Sequence, residues 1–91
     1  MRNLDLDALQ IFKAVADHGG VARAAAHLNR VQSNVSTRLK QLEAPLEAPL
    51  FRRQNRRLVL SEQGRVLLSY ADRLLRLSAE AQAAVRDGAP Q

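Results

Sequence analysis

Between Gln32 and Arg38 the chain reads Gln-Ser-Asn-Val-Ser-Thr-Arg. Gln32, Ser33, Asn34, Ser36 and Thr37 bring amides and hydroxyls, and Arg38 adds a guanidinium. The amides and hydroxyls hydrogen-bond without ionising near neutral pH, so the chemistry is recognition rather than turnover. Val35, Leu39, Leu42 and Leu46 recur at spacings of four, three and four, which puts them on one face of a helix. That face must be the core side. The opposite face then carries Ser33, Asn34, Thr37, Arg38 and Gln41, groups able to read base edges in a nucleic-acid groove. Arg30 and Lys40 flank the run, and Arg53, Arg56 and Arg57 form a second basic group whose guanidiniums suit phosphate oxygens.

Other reactive residues lack the company that catalysis needs. His18 and His27 have no acid or cysteine at ligand spacing, so packing or surface roles are expected of them. Ser61 reads as a helix cap, without the glycines of a nucleophile elbow, and Gly19-Gly20 lacks the residues that follow in a phosphate loop. No acid, base and nucleophile set exists. The chain is therefore not expected to be an enzyme, and no cofactor or metal is expected.

The bulk numbers bound the rest. Ninety-one residues allow one compact core, and 46% hydrophobic residues with three aromatics, Phe12, Phe51 and Tyr70, favour helices over a sandwich. Cysteine is absent, which excludes disulfides and thiolate chemistry and points to the reducing cytoplasm. Asp5, Asp7 and Asp17 interrupt the first twenty residues, so neither a signal peptide nor a membrane span is expected. The net charge of +5 is concentrated. Over residues 23–57 eight Lys and Arg oppose only Glu43 and Glu47, a balance of +6, whereas 1–22 carry −1 and 58–91 carry 0. A polyanion-facing surface explains this, although a merely solvated basic face would have the same composition.

These groups need elements to position them. Leu9, Ile11, Phe12, Val15 and Ala16 predict a helix from Asp7 to Asp17, stopped at Gly19-Gly20. Val21 to Leu28 predicts a short second helix, whose Ala24, Ala25 and Ala26 allow a close crossing, and Asn29-Arg30 a tight break. The third helix begins near Gln32. Pro45 is expected to end or kink it near Glu43 or Ala44. Leu50 to Arg53 and Leu58 to Leu60 predict a small hairpin with Gln54-Asn55-Arg56-Arg57 as its basic tip. Ser61 caps a last helix with Glu62 in its first turn. Along that helix Leu67, Ala71, Leu74, Ser78, Ala81 and Val85 alternate steps of four and three, with Leu68 and Leu75 widening the stripe. About 25 residues extend roughly 37 Å, longer than so small a domain can cover, so part of the stripe is expected to meet a second chain.

The ordered string Ala24-Ala25, Leu28, Gln32, Ser36, Leu42-Glu43, Leu46, Pro49-Leu50-Phe51, Arg53, Leu58, Leu60-Ser61 and Gly64 resembles the amino-terminal signature of LysR-type transcriptional regulators, over about residues 4 to 87. The resemblance implies a mainly α winged helix-turn-helix, three helices plus a short β-hairpin wing, followed by a long linker helix through which two subunits dimerise. Residues 1–60 would form the DNA-binding unit, 61–87 the dimerisation helix and 88–91 a linker or chain end. Position by position, Gln32, Ser33, Asn34, Ser36, Thr37 and Arg38 fall where the recognition helix meets bases. Arg30, Lys40, Arg53, Arg56 and Arg57 fall on the backbone and wing side. The expected partners are double-stranded DNA and a second copy, or four copies in the full-length protein. A small effector would act only through a carboxy-terminal domain outside this chain. Ala22 and Val31 stand where the family often caps the second and third helices with a hydroxyl, and Glu47 where a Gly often ends the third. The other reading left by the residues is a dimerising protein-interaction module whose basic face meets an acidic partner.

Overall fold

The computed structural model describes residues 4–88. The order is α1 (Leu6–His18), α2 (Val21–Leu28), α3 (Gln32–Leu46), β1 (Phe51–Gln54), β2 (Arg57–Leu60) and α4 (Glu62–Arg86). This is the expected fold: a three-helix winged helix-turn-helix with a long final helix. Of the anticipated tail, residues 89–91 lie outside the described residues.

Helix α1 starts at Asp5, whose carboxylate accepts the Asp7 N–H, and stops at Gly19, which takes the left-handed backbone (φ 74°). Its Leu9, Phe12 and Val15 are fully buried, as are Ala24 of α2 and Val35 of α3. Each large side chain so buried stabilises the fold by about 1.5–3 kcal/mol. One apolar cluster joins Ile11, Ala14 and Val15 to Ala24, Ala25 and Val35, locking α1, α2 and α3 together. Ala24 and Ala25 make the expected close crossing, while Ala26 is exposed. A second cluster joins Ala8, Leu9 and Phe12 to Leu39, Leu42, Leu50, Leu67 and Ala71.

The wing is a two-stranded antiparallel ribbon in which Phe51 faces Leu60 and Gln54 faces Arg57. Its strands run closer to the tip than expected, leaving only Asn55 and Arg56 in the turn, both at positive φ (52° and 66°). That combination is the one a two-residue hairpin with the right-handed strand twist requires. Three contacts fix the wing's side of the molecule. Phe51 packs on Phe12 with ring centroids 5.5 Å apart, the Leu58 N–H donates to the Gly19 carbonyl at 3.1 Å, and the Leu50 N–H donates to the Glu43 carboxylate at 2.8 Å.

Two expectations are corrected. Helix α3 does not stop at Glu43 or Ala44 but runs through Pro45 to Leu46. Pro45 sits in the last turn, where its missing N–H removes one ladder bond and no further turn has to follow. Leu46, expected on the core face, is 40% exposed for the same reason: it lies past the end of the packed surface. Glu47 closes the helix in the left-handed conformation (φ 52°) that a Gly would adopt at less cost.

Helix α4 is joined to the body by its first half. The Ser61 hydroxyl accepts the Gly64 N–H at 3.0 Å and donates to the Pro49 carbonyl at 2.7 Å. At Gly64 the two segments come so close that a Cβ would stand 2.1 Å from the Leu50 carbonyl oxygen. Lys13 pairs with Asp72 at 3.0 Å, which ties α4 to α1 as well. Leu75, Ser78, Ala79 and Gln82 continue along the start of α1, facing Leu6, Asp7 and Gln10 across a shallow cleft, and the molecule measures 50 × 29 × 20 Å.

Candidate nucleic-acid interface

Helices α2 and α3 are joined by Asn29, held left-handed (φ 57°) with its N–H on the Ala25 and Ala26 carbonyls. Burying Val35, Leu39 and Leu42 turns the other side of α3 outward. Gln32, Ser33, Asn34, Thr37, Lys40 and Gln41 are exposed there, and Ser36 is half-buried on the flank. The helix has no hydrogen-bonding side chain at its start, since its N-cap is Val31. Its first N–H groups therefore face solvent with the positive end of the helix dipole behind them.

Helix α2 begins the same way. Its N-cap is Gly20, without a side-chain bond. The expected cap position Ala22 is thus corrected: the helix starts earlier, and Ala22 lies within its first turn. A groove runs from this start, Gly20 to Arg23, past Gln32 to Arg53, Asn55, Arg56 and Arg57 of the wing. Arg52, Arg53, Arg56 and Arg57 are all exposed. Three donor sets thus line one groove: the α2 start, Gln32 at the head of α3 and the guanidiniums of Arg53, Arg56 and Arg57. They match an oxyanion-lined duplex, with backbone contacts flanking groups that can discriminate base edges.

Not every predicted residue is free. The Arg38 guanidinium turns back to α1, donating to Asp7 at 2.9 Å and to Asp5. Arg30 does likewise, with bonds of 2.7 and 3.2 Å to the two Asp7 oxygens and one of 3.1 Å to the Asn34 amide oxygen. Hydrogen bonding from Arg30, above all, holds the Asp7 carboxyl below the usual carboxylate range. Sequence reasoning missed Asp5 and Asp7 because their partners lie 23 to 33 residues away. Arg23 and Glu43 were missed as well, and only the charge tally could have pointed to Arg23.

The expected dimerisation residues divide. Leu67 and Ala71 are buried in the chain's own core, while Leu74 and Leu75 pack against it, and Leu67 and Leu74 reach the surface only at the floor of an apolar groove. Ser78 is half-buried, and Ala81 and Val85 are exposed. Besides Val85, the large apolar side chains that α4 presents are Val66, Tyr70 and Leu77, 61%, 53% and 62% exposed. They are one helical step around from the expected seam. With Leu4 and Leu46, Val66 and Tyr70 border that almost wholly apolar groove.

His18 and His27 stack on each other with ring centroids 4.7 Å apart. Among the described residues no three His, Asp or Glu side chains converge as a metal site needs. No helix of the described residues is long and apolar enough to cross a membrane.

Comparison with known proteins adds independent findings. The family model described as bacterial regulatory helix-turn-helix protein, lysR family, matches residues 6–65. The HTH-type transcriptional regulator CzcR of Bacillus thuringiensis subsp. konkukian is 51% identical over 72 residues, 79% of this chain and 25% of that protein. The chain thus spans about a quarter of the length of the curated relatives it matches. Among solved structures, the CbnR_DBD–DNA complex superposes with a TM-score of 0.87 at 31% identity, covering 94% of this chain and 99% of that one. The BenM_DBD/benA site 1 DNA complex gives 0.87 at 26% identity, covering 93% and 99%.

Proposed function

As this chain belongs to the bacterial LysR family of helix-turn-helix regulators, we propose that it is the DNA-reading part of a transcriptional regulator, with α3 in the major groove and the wing on the backbone or minor groove. The observation that carries this reading is the groove in which the α2 start, Gln32 at the head of α3 and the wing's Arg53, Arg56 and Arg57 come together. Gln32, Ser33, Asn34, Ser36 and Thr37 discriminate bases; Lys40, Arg53, Arg56 and Arg57 take phosphates. The reading unit spans residues 1–60, and α4, 61–87, is the linker whose first half also completes the core. Arg56 supports a binding role for the turn, since it occupies a positive-φ position where Gly is less strained.

A second copy pairs along α4, through Val66, Tyr70 and Leu77 with Ala81 and Val85 beyond them. Two α3 helices on one face of the duplex then read two half-sites together. In the whole protein, effector binding and any assembly into four copies belong to parts outside this chain, and the setting is the cytoplasm beside the nucleoid. Selection from random duplex DNA, followed by fluorescence anisotropy, tests both claims. The expected product is an interrupted palindrome, bound more tightly than its scrambled counterpart, with log affinity falling linearly in log salt as counterions are released. Equal, weak binding to both duplexes contradicts the function. Enrichment of a lone half-site contradicts the pairing.

A further inference from the structure

Four charges meet where α1 begins and the flank of α3 passes it. Asp7 accepts from Arg30 through both of its oxygens and from Arg38 through one of them, and Asp5 accepts from Arg38 as well. Two carboxylates thereby offset two guanidiniums at the edge of the most cationic part of the chain. Arg30 also donates to the Asn34 amide oxygen, which leaves the Asn34 NH2 group as its outward end. With its oxygen engaged and its two N–H donors free, an asparagine held this way favours acceptors on base edges over the donor and acceptor pair of adenine, for which only the oxygen's second lone pair is left. The four charged side chains are between 30% and 50% exposed, so phosphate oxygens can compete with the carboxylates for both arginines.

Resting on the DNA-reading function proposed above, we infer that Asp7, supported by Asp5, determines specificity from outside the recognition helix: it withholds Arg30 and Arg38 from the DNA backbone and fixes Asn34 as a donor. The depressed titration of the Asp7 carboxyl is in keeping with an anion fully engaged by these partners. Asp7 is a positioning residue. Its charge lowers the phosphate-driven affinity for duplexes in general, while the Asn34 orientation it supports adds affinity for the target alone, so the difference between a target and other duplexes rises.

The test compares Asp7→Asn with the unaltered chain on two synthetic duplexes, the one recovered by selection and its scrambled counterpart. Each freed arginine that takes a phosphate steepens the log–log salt dependence by about 0.9. The expected result is a slope steeper by about 1 to 2 per protomer, scrambled-duplex affinity higher by roughly threefold to tenfold at about 0.1 M salt, and a target-to-scrambled ratio lower by a similar factor. Asp7→Glu restores most of the ratio. In a background of Arg30→Ala with Arg38→Ala, Asp7→Asn adds nothing. An unchanged slope and ratio in a variant with intact helical circular dichroism overturns the inference, as does a gain that persists without the two arginines. Should Asp7→Asn fail to fold, the pair Arg30→Ala, Arg38→Ala in a chain with Asp7 intact decides: arginines withheld from phosphates leave the salt slope unchanged when removed, and a slope shallower by about 1 to 2 overturns the inference. Equal binding of both duplexes by the unaltered chain contradicts the DNA-reading function itself. Clear preference in that chain with a silent Asp7 contradicts only the present inference.

Discussion

Helices α1 and α4 begin with a carboxylate and a hydroxyl that close their first turns. Helices α2 and α3 begin with Gly20 and Val31, which close nothing. The first pair is scaffold: α1 supplies Leu9, Phe12 and Val15 to the core, and α4 anchors through Ser61, Gly64 and Leu67. The second pair forms the helix-turn-helix. Against a hydroxyl or carboxylate cap, Val31 costs about 1 kcal/mol in the free protein and Gly20 about a few tenths, yet both keep N–H groups available to an incoming anion. Stability is thus concentrated on one side of the fold, and unsatisfied donors on the other. The wing repeats the division within ten residues, with Phe51 and Leu58 to Leu60 half-buried and Arg52 to Arg57 exposed.

Two substitutions can break this contrast. The larger effect is expected of Ser61→Ala, which loses the cap on α4 and strands the Pro49 carbonyl; Ser61 is only 5% exposed, so water cannot replace its bonds. About 2–3 kcal/mol of stability should go, lowering the thermal midpoint by roughly 10 °C, with DNA affinity unchanged below the transition. Calorimetry and anisotropy check the two halves of that statement. Val31→Ser should do the reverse. Val31 is 68% exposed and in an extended conformation, so a serine there costs little packing and can cap α3. Stability should rise by about 0.5–1 kcal/mol, while duplex affinity falls roughly threefold to tenfold because the first N–H groups are already engaged. A capped α3 that binds as tightly as before removes the functional half of the contrast.

What was legible in the sequence was local. The spacing of Leu9, Phe12 and Val15, the Gly19 stop, the Asn29 turn and the Ser61 cap each act within one or two turns, and the structure has helices and breaks at those places. The polar face of α3 followed from its apolar one. What failed depended on residues far apart in the chain. Pro45 carries the usual helix-breaking signal, but only its place in the last turn decides whether it matters. The α4 stripe has a period that fits a core and a dimer seam equally well. Only the closeness of Leu50 and α1 shows that Leu67 and Ala71 are claimed by the core. Arg38 reads as an exposed cation until Asp5 and Asp7 come beside it.

The most direct measurement is a backbone amide chemical-shift titration of the 91-residue chain with the selected duplex. The account predicts the largest changes at Val21 to Arg23, Gln32 to Asn34 and Asn55 to Arg57, the uncapped starts and the wing tip. Changes confined to α4 around Val66, Tyr70 and Leu77, with those three segments unmoved, would contradict it.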